Sequence, residues 1–245
     1  MNITQETIIG ELVAQDYRTA EVFKKYGIDF CCNGNRSIAG ACESSGRDIG
    51  QLMNDLSSVQ DNPDKQVTDY QSWPLDLLAD YIEKKHHRYV EEKTPVLKQY
   101  LAKICSVHGD RHPELFKISE LFDKTAGELA MHMKKEELML FPYIRRMVES
   151  HTQKTGLRPA PFGSIQNPVN AMMSDHEAEG ERFREMEELS NNYTPPADGC
   201  NTYKVTFALL KEFQDDLHLH IHLENNILFP KSIELGKSLK EMQKG

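Results

Sequence analysis

Residues 132–142 read HMKKEELMLFP and residues 220–230 read HIHLENNILFP. One device therefore occurs twice: a histidine, a glutamate four positions on, and a Leu-Phe-Pro ending. Side chains at i and i+4 share a helix face, so His132 with Glu136, and His220 with Glu224, each present an imidazole nitrogen and a carboxylate in one direction. Imidazole suits iron, zinc, copper and nickel, and carboxylates can bridge two ions and balance their charge. A lone HxxxE is usually a solvated pair worth about 0.2–0.5 kcal/mol, but two copies with the same ending favour facing half-sites for two metals. Further donors are the adjacent His86 and His87 and the His176 of SDHEAEGE. The mixture is richer in histidine than a glutamate-dominated di-metal bundle, which favours iron over manganese. His218 and His222 sit two positions from His220, so helix geometry turns them off its face. Glu128, one turn before His132, lies on the same stripe and fits either support of a ligating histidine or a buried salt bridge.

These donors need long helices to hold them, and the apolar spacing supplies four. The first is expected from about 75 to 107, with Leu78, Ile82, Val90, Leu97, Leu101 and Ile104 as its stripe and a kink at Pro95. The second spans about 113–150, carries Leu115, Ile118, Leu121, Phe122, Leu129, Leu138, Phe141, Ile144 and Met147, and is bent at Pro142. The third and fourth follow at about 168–191 and 202–235. No long stretch alternates with period two, so the fold class is all-α: an up-down four-helix bundle, whose core is where such folds build metal sites. A straight helical wheel puts His86 nearer the middle of the first apolar stripe than His87.

Ahead of the bundle, residues 1–60 form a small helical module. One or two short helices end near Gly27, and others are expected near 38–41 and 49–59. Residues 61–73 are a polar linker, and 74–245 are the bundle domain. The module carries the adjacent pair Cys31 and Cys32 in the turn YGIDFCCNGN. Neighbouring cysteines pair poorly with each other, so a thiol site handling metal, nitric oxide or a partner's disulfide is weighed against a buried apolar pair. Cys42, Cys105 and Cys200 show no ligand spacing, and an odd, sparse set of five cysteines fits a reducing compartment.

The chain has 245 residues with 38 acidic against 29 basic side chains, a formal charge of -9. No Lys/Arg-rich run offers a counterion-releasing surface, which excludes nucleic acid as an expected partner. No apolar stretch is long enough to span a bilayer, and the start lacks the pattern of a signal peptide. No membrane association and a cytoplasmic location are the expectation.

Together these motifs resemble the RIC (repair of iron centres) proteins, the YtfE/ScdA/DnrN type of hemerythrin-like protein. The resemblance covers nearly the whole chain, through YGIDFCCNGN, the Pro-Leu at 74–75, Pro95, HMKKEELMLFP, the His176 segment and HIHLENNILFP. It implies a hemerythrin-like bundle holding two iron ions per chain in a non-haem di-iron centre with oxo or carboxylate bridges. Its implied ligands are His87, His132, Glu136, His176, His220 and Glu224; the prolines at 74 and 95 fix the register on His87, against the wheel's preference for His86. The implied role is repair of iron-sulfur clusters damaged by nitrosative and oxidative stress, by supplying iron, reacting with nitric oxide, or both. Its partners would be the damaged cluster proteins and small molecules such as nitric oxide or dioxygen; whether it is a homodimer and whether it turns over as an enzyme stay open. The rival readings are an oxygen-binding or oxygen-sensing hemerythrin-like protein, a di-iron nitric oxide or peroxide reductase, and a metal-free structural bundle.

Overall fold

The computed structural model describes residues 3–60 and 68–242, and among them the regular structure is entirely helical. The N-terminal part holds α1 (Ile9–Gln15), α2 (Thr19–Lys25), α3 (Ile38–Ser45) and α4 (Ile49–Gln60). Local chemistry sets these bounds. The Ser37 side chain caps α3 by accepting from the Gly40 N–H, and Gly46, at φ 65°, closes it in the left-handed region that glycine tolerates. Asp48 Oδ1 accepts from the amides of Gly50 and Gln51 at the start of α4. Of the expected linker 61–73, residues 61–67 lie outside the described residues. Beyond them Tyr70–Ser72 makes a 3₁₀ turn, and Tyr70, Trp73 and Tyr81 pack ring against ring at 5.0–5.6 Å.

The first bundle helix comprises α5 (Leu75–Tyr81), a π turn (Ile82–His87) and α6 (Arg88–His108). The second comprises α7 (Glu114–Lys135), a π turn (Glu136–Leu140) and α8 (Phe141–Gln153). The third is α9 (Gln166–Leu189); the fourth comprises α10 (Asn201–Leu223), a π turn (Glu224–Leu228) and α11 (Phe229–Met242). Helix α6 packs on α7 and α10, and α7 on α9. Helix α6 continues through Pro95, and an irregular turn lies upstream of it.

The other two π turns each end just before a Phe-Pro pair. A proline supplies no N–H to the carbonyl four residues back and crowds it with its ring. A turn widened to i→i+5 bonding accommodates both. The disturbance expected from Pro142 therefore takes the form of a widened turn. It also corrects one core assignment: Leu138, placed on the apolar stripe by a 3.6-residue period, is 74% exposed, while Leu140 and Phe141 are buried.

Two apolar clusters make the core. One unites the N-terminal helices with the bundle, packing Ile9, Leu12, Val13 and Phe23 with residues that include Leu129, Phe183, Phe213 and Ile221. The other contains Ile82, Leu140, Phe141, Met172, Leu223 and Ile227. Full burial of such side chains contributes about 1.5–3 kcal/mol each. Along every bundle helix the candidate donors fall between residues of these two clusters, so the site has apolar walls above and below it.

Candidate metal centre

The widened turns set where the donors point. His87 ends the first π turn, Glu136 opens the second and Glu224 opens the third, while His132 and His220 sit one α-helical turn before their glutamates. The structure brings two groups of ligand atoms together, each within 4.8 Å: His87, Glu136, His220 and Glu224; and His132, Glu136, His176 and Glu224. Both glutamates belong to both groups.

His87 Nε2 and His132 Nε2 lie 3.4 and 3.3 Å from Glu136 Oε2. His176 Nε2 lies 3.1 Å from Glu224 Oε2, and His220 Nε2 lies 3.2 Å from Glu224 Oε1. Glu136 and Glu224 are fully buried, yet none of their carboxylate oxygens has a hydrogen-bond partner among the described residues; nor do His87 Nε2 and His220 Nε2. Buried carboxylates left so are costly unless a positive charge meets them. His132 Nε2 and His176 Nε2 face each other at 3.0 Å, an approach of two ligand nitrogens that a shared cation would accommodate. Nitrogen and carboxylate donors in this ratio fit iron.

The electrostatics agree. Burial alone would push the His132 imidazole down, but Glu136, Asp175 and Glu224 outweigh it and raise its pKa to about 10. Burial would push Glu224 up, but His220 and His176 hold it well below the usual carboxylate range; Glu136 is lowered by His132 and His87 against both burial and Glu224. The carboxylates thus favour positive charge on His132 and His87, while burial lowers His220, and a cation between the groups would take over that role.

Outer partners orient the rings. His87 Nδ1 lies 3.1 Å from Glu137 Oε1, His132 Nδ1 3.3 Å from Asp175 Oδ2, and His176 Nδ1 2.9 Å from Asn225 Oδ1. Asp175 is held down to about 2, first by its hydrogen bond with His132. Sequence reasoning missed Glu137, Asp175 and Asn225 in this role. Each neighbours a ligand candidate, but Asp175 serves His132 on another helix rather than its neighbour His176, which spacing within one helix does not reveal.

His86 is as buried as His87 but lies outside both groups: its Nδ1 meets Asp216 at 3.0 Å and its ring stacks on His220 at 5.6 Å. His218 and His222 also lie outside them, against Phe30, and His222 Nδ1 accepts from Asn226 Nδ2 at 3.0 Å. Glu128 supports no histidine; it pairs with Arg182, which also binds Glu179.

Cys31 and Cys32 lie beside this centre. The Cys32 thiol donates to the backbone carbonyl of His176 at 3.3 Å, and Asn225 Nδ2 donates to the Cys31 carbonyl at 3.1 Å. Close approach to α9 depends on Gly180, where a Cβ would stand 3.2 Å from Cys32 Sγ. The second thiol contact and burial keep the Cys31 pKa well above its ordinary value. No helix of the described residues is long and apolar enough to cross a membrane.

A family model described as the hemerythrin HHE cation binding domain matches residues 78–232, and one described as a domain of unknown function (DUF542) matches residues 5–60. The chain is similar to the iron-sulfur cluster repair protein YtfE of Yersinia pseudotuberculosis, 33% identical over 225 residues that cover 92% of this chain and 96% of the relative. It is 32% identical over 225 residues to YtfE of Escherichia coli, with the same coverage of each. It is 29% identical over 229 residues to the iron-sulfur cluster repair protein ScdA of Staphylococcus haemolyticus, covering 94% of this chain and 99% of that one.

Proposed function

Because the chain belongs to the hemerythrin-like family of iron-sulfur cluster repair proteins, we propose that it binds two iron ions in its bundle and serves the repair of clusters damaged by nitrosative and oxidative stress. The observation that carries this reading is the membership of Glu136 and Glu224 in both donor groups. His87 and His220 would hold one ion, His132 and His176 the other, and the two carboxylates would bridge them. Bound iron would supply exchangeable metal for damaged clusters and open positions for small molecules such as nitric oxide.

The chain's own residues do the rest. Glu137, Asp175 and Asn225 hold their histidines so that each Nε2 faces inward. The apolar clusters above and below exclude water, which strengthens every charge interaction between them. The protein's partners in this role are cluster proteins that have lost or altered iron, and the reducing interior of a cell is where its free thiols belong.

The test is metal analysis with Mössbauer spectroscopy, paired with a repair assay on a purified cluster protein damaged by nitric oxide. The expected result is about two exchange-coupled irons per chain and recovery of the damaged protein, both lost in Glu224→Ala. Iron-reconstituted wild type that holds no metal would sink the proposal.

A further inference from the structure

A second donor set lies where the N-terminal helices meet the bundle. Asp29, Cys31 and Cys32 place a carboxylate oxygen and two sulfurs within 4.8 Å of one another. Cys31 Sγ stands 3.8 Å from Cys32 Sγ and 3.4 Å from Asp29 Oδ1. Tetrahedral zinc has Zn–S bonds of about 2.3 Å and Zn–O bonds of about 2.1 Å, which put two sulfurs about 3.8 Å apart and a sulfur and an oxygen about 3.6 Å apart. Two of the three separations thus match edges of a metal-sized tetrahedron before any metal enters, and the third lies within 4.8 Å. The fourth corner has room: these residues line a cavity of about 370 Å³ whose rim carries the exposed Lys25 and Lys211, and which His218 also lines. Buried His218 Nδ1 has no hydrogen-bond partner among the described residues.

The loop is built to hold this arrangement. Asp29 Oδ1 accepts the amides of Cys31 and Cys32 at 3.1 and 2.9 Å, and Oδ2 accepts from Asn33 at 2.9 Å and Arg184 at 3.2 Å. Cys31 is 3% exposed. Charge is also balanced: two thiolates and one carboxylate against a divalent cation and Arg184 leave no net charge, which a half-buried site requires.

We propose that Asp29, Cys31 and Cys32 form a second metal site, binding one tetrahedral divalent d-block cation of the Zn²⁺ or Fe²⁺ class, with its fourth position open to the cavity. Binding replaces two S–H bonds by two metal–sulfur bonds and releases two protons through the cavity to solvent. Loss of the Cys31 proton removes its hydrogen bond to Asp29 Oδ1, and the metal takes the place of that proton while the two amide bonds to Oδ1 remain. Loss of the Cys32 proton removes the hydrogen bond to the His176 carbonyl, so occupancy of this site reaches the backbone of the bundle centre. The site rests on its own donors and not on the presence of iron in the bundle.

The test is anaerobic titration of the full chain with Co²⁺, read by thiolate-to-cobalt charge-transfer absorption. It is run in wild type and in Glu224→Ala, which keeps the two centres apart. The expected result is one thiolate-ligated equivalent in both proteins, absent in Cys31→Ser and in Cys32→Ser, with circular dichroism of the serine variants unchanged. Subsequent Zn²⁺ titration should bleach the band, and Fe²⁺ should do so only in large excess, as the Irving–Williams order requires. No thiolate band in wild type, a band kept in both serine variants, or a band that neither ion displaces would overturn the proposal.

Discussion

Asn225 Oδ1 lies 2.9 Å from His176 Nδ1, and this contact decides where the imidazole proton sits. Asn225 Nδ2 is committed to the Cys31 carbonyl, so the oxygen is the end that faces the ring. An amide oxygen only accepts, so Nδ1 carries a proton, and Nε2 is turned toward Glu224 and His132. One side chain thereby fixes a tautomer in the bundle and anchors the cysteine loop.

Replacing Asn225 by the near-isosteric leucine should remove that choice of tautomer. Iron affinity, measured by chelator competition, is expected to fall about 10–100-fold, as for other outer partners of ligating histidines. Unchanged affinity would show that His176 needs no such partner.

Carboxylate and histidine substitutions should differ in kind. Glu136 and Glu224 each reach both donor groups, so Glu136→Ala or Glu224→Ala is expected to abolish both iron signals. His220→Ala touches one group and His132→Ala the other, so each should leave a mononuclear, uncoupled iron. Equal iron content in all four variants, measured by elemental analysis with Mössbauer spectra, would refute the shared bridging.

The neighbours His86 and His87 separate cleanly. His87→Ala should lose the iron of its group, because His87 Nε2 faces Glu136. His86→Ala should keep both irons and lose about 1–3 kcal/mol of stability through the vacated ring site beside Tyr81 and His220. Iron loss in His86→Ala with retention in His87→Ala reverses the assignment.

Acid should loosen the N-terminal helices. Burial pushes the Asp215 carboxyl up, but Lys211 and Lys24 outweigh it and hold it below its ordinary value; the Lys24 contact at 3.1 Å ties α2 to α10. A depressed folded pKa gives stability that is present above the unfolded value of about 4 and lost as pH falls through the folded value. Proteolysis of the N-terminal helices should therefore accelerate below about pH 4. Asp215→Asn should flatten that acid limb, and an unchanged limb would count against the tie. Because Asp215 is partly exposed, the effect should shrink in high salt.

The sequence is legible where periodicity and repetition act together. Apolar stripes at Leu78, Leu101, Ile118 and Ile144 lie in the core, and His132, Glu136, His220 and Glu224 could be paired from spacing within one helix. What escaped depends on departures from an ideal helix or on contacts between helices. The wheel prefers His86 because it takes the first helix as regular, whereas the turn Ile82–His87 is a π turn. Leu138 reads as core for the same reason. Asp175 serves a histidine from another helix, and Glu128 was captured by Arg182, a residue no local pattern singles out.

The full burial of Glu136 and Glu224 has a kinetic consequence. An ion held by these buried carboxylates would lie out of a chelator's reach, so its release would wait for a spontaneous opening of the helices or of the N-terminal cover. Loss of metal should then follow first-order kinetics whose rate levels off as chelator is raised, and the plateau reports the opening itself. Anything that loosens the cover, rather than anything that weakens a ligand, would set how fast iron becomes available.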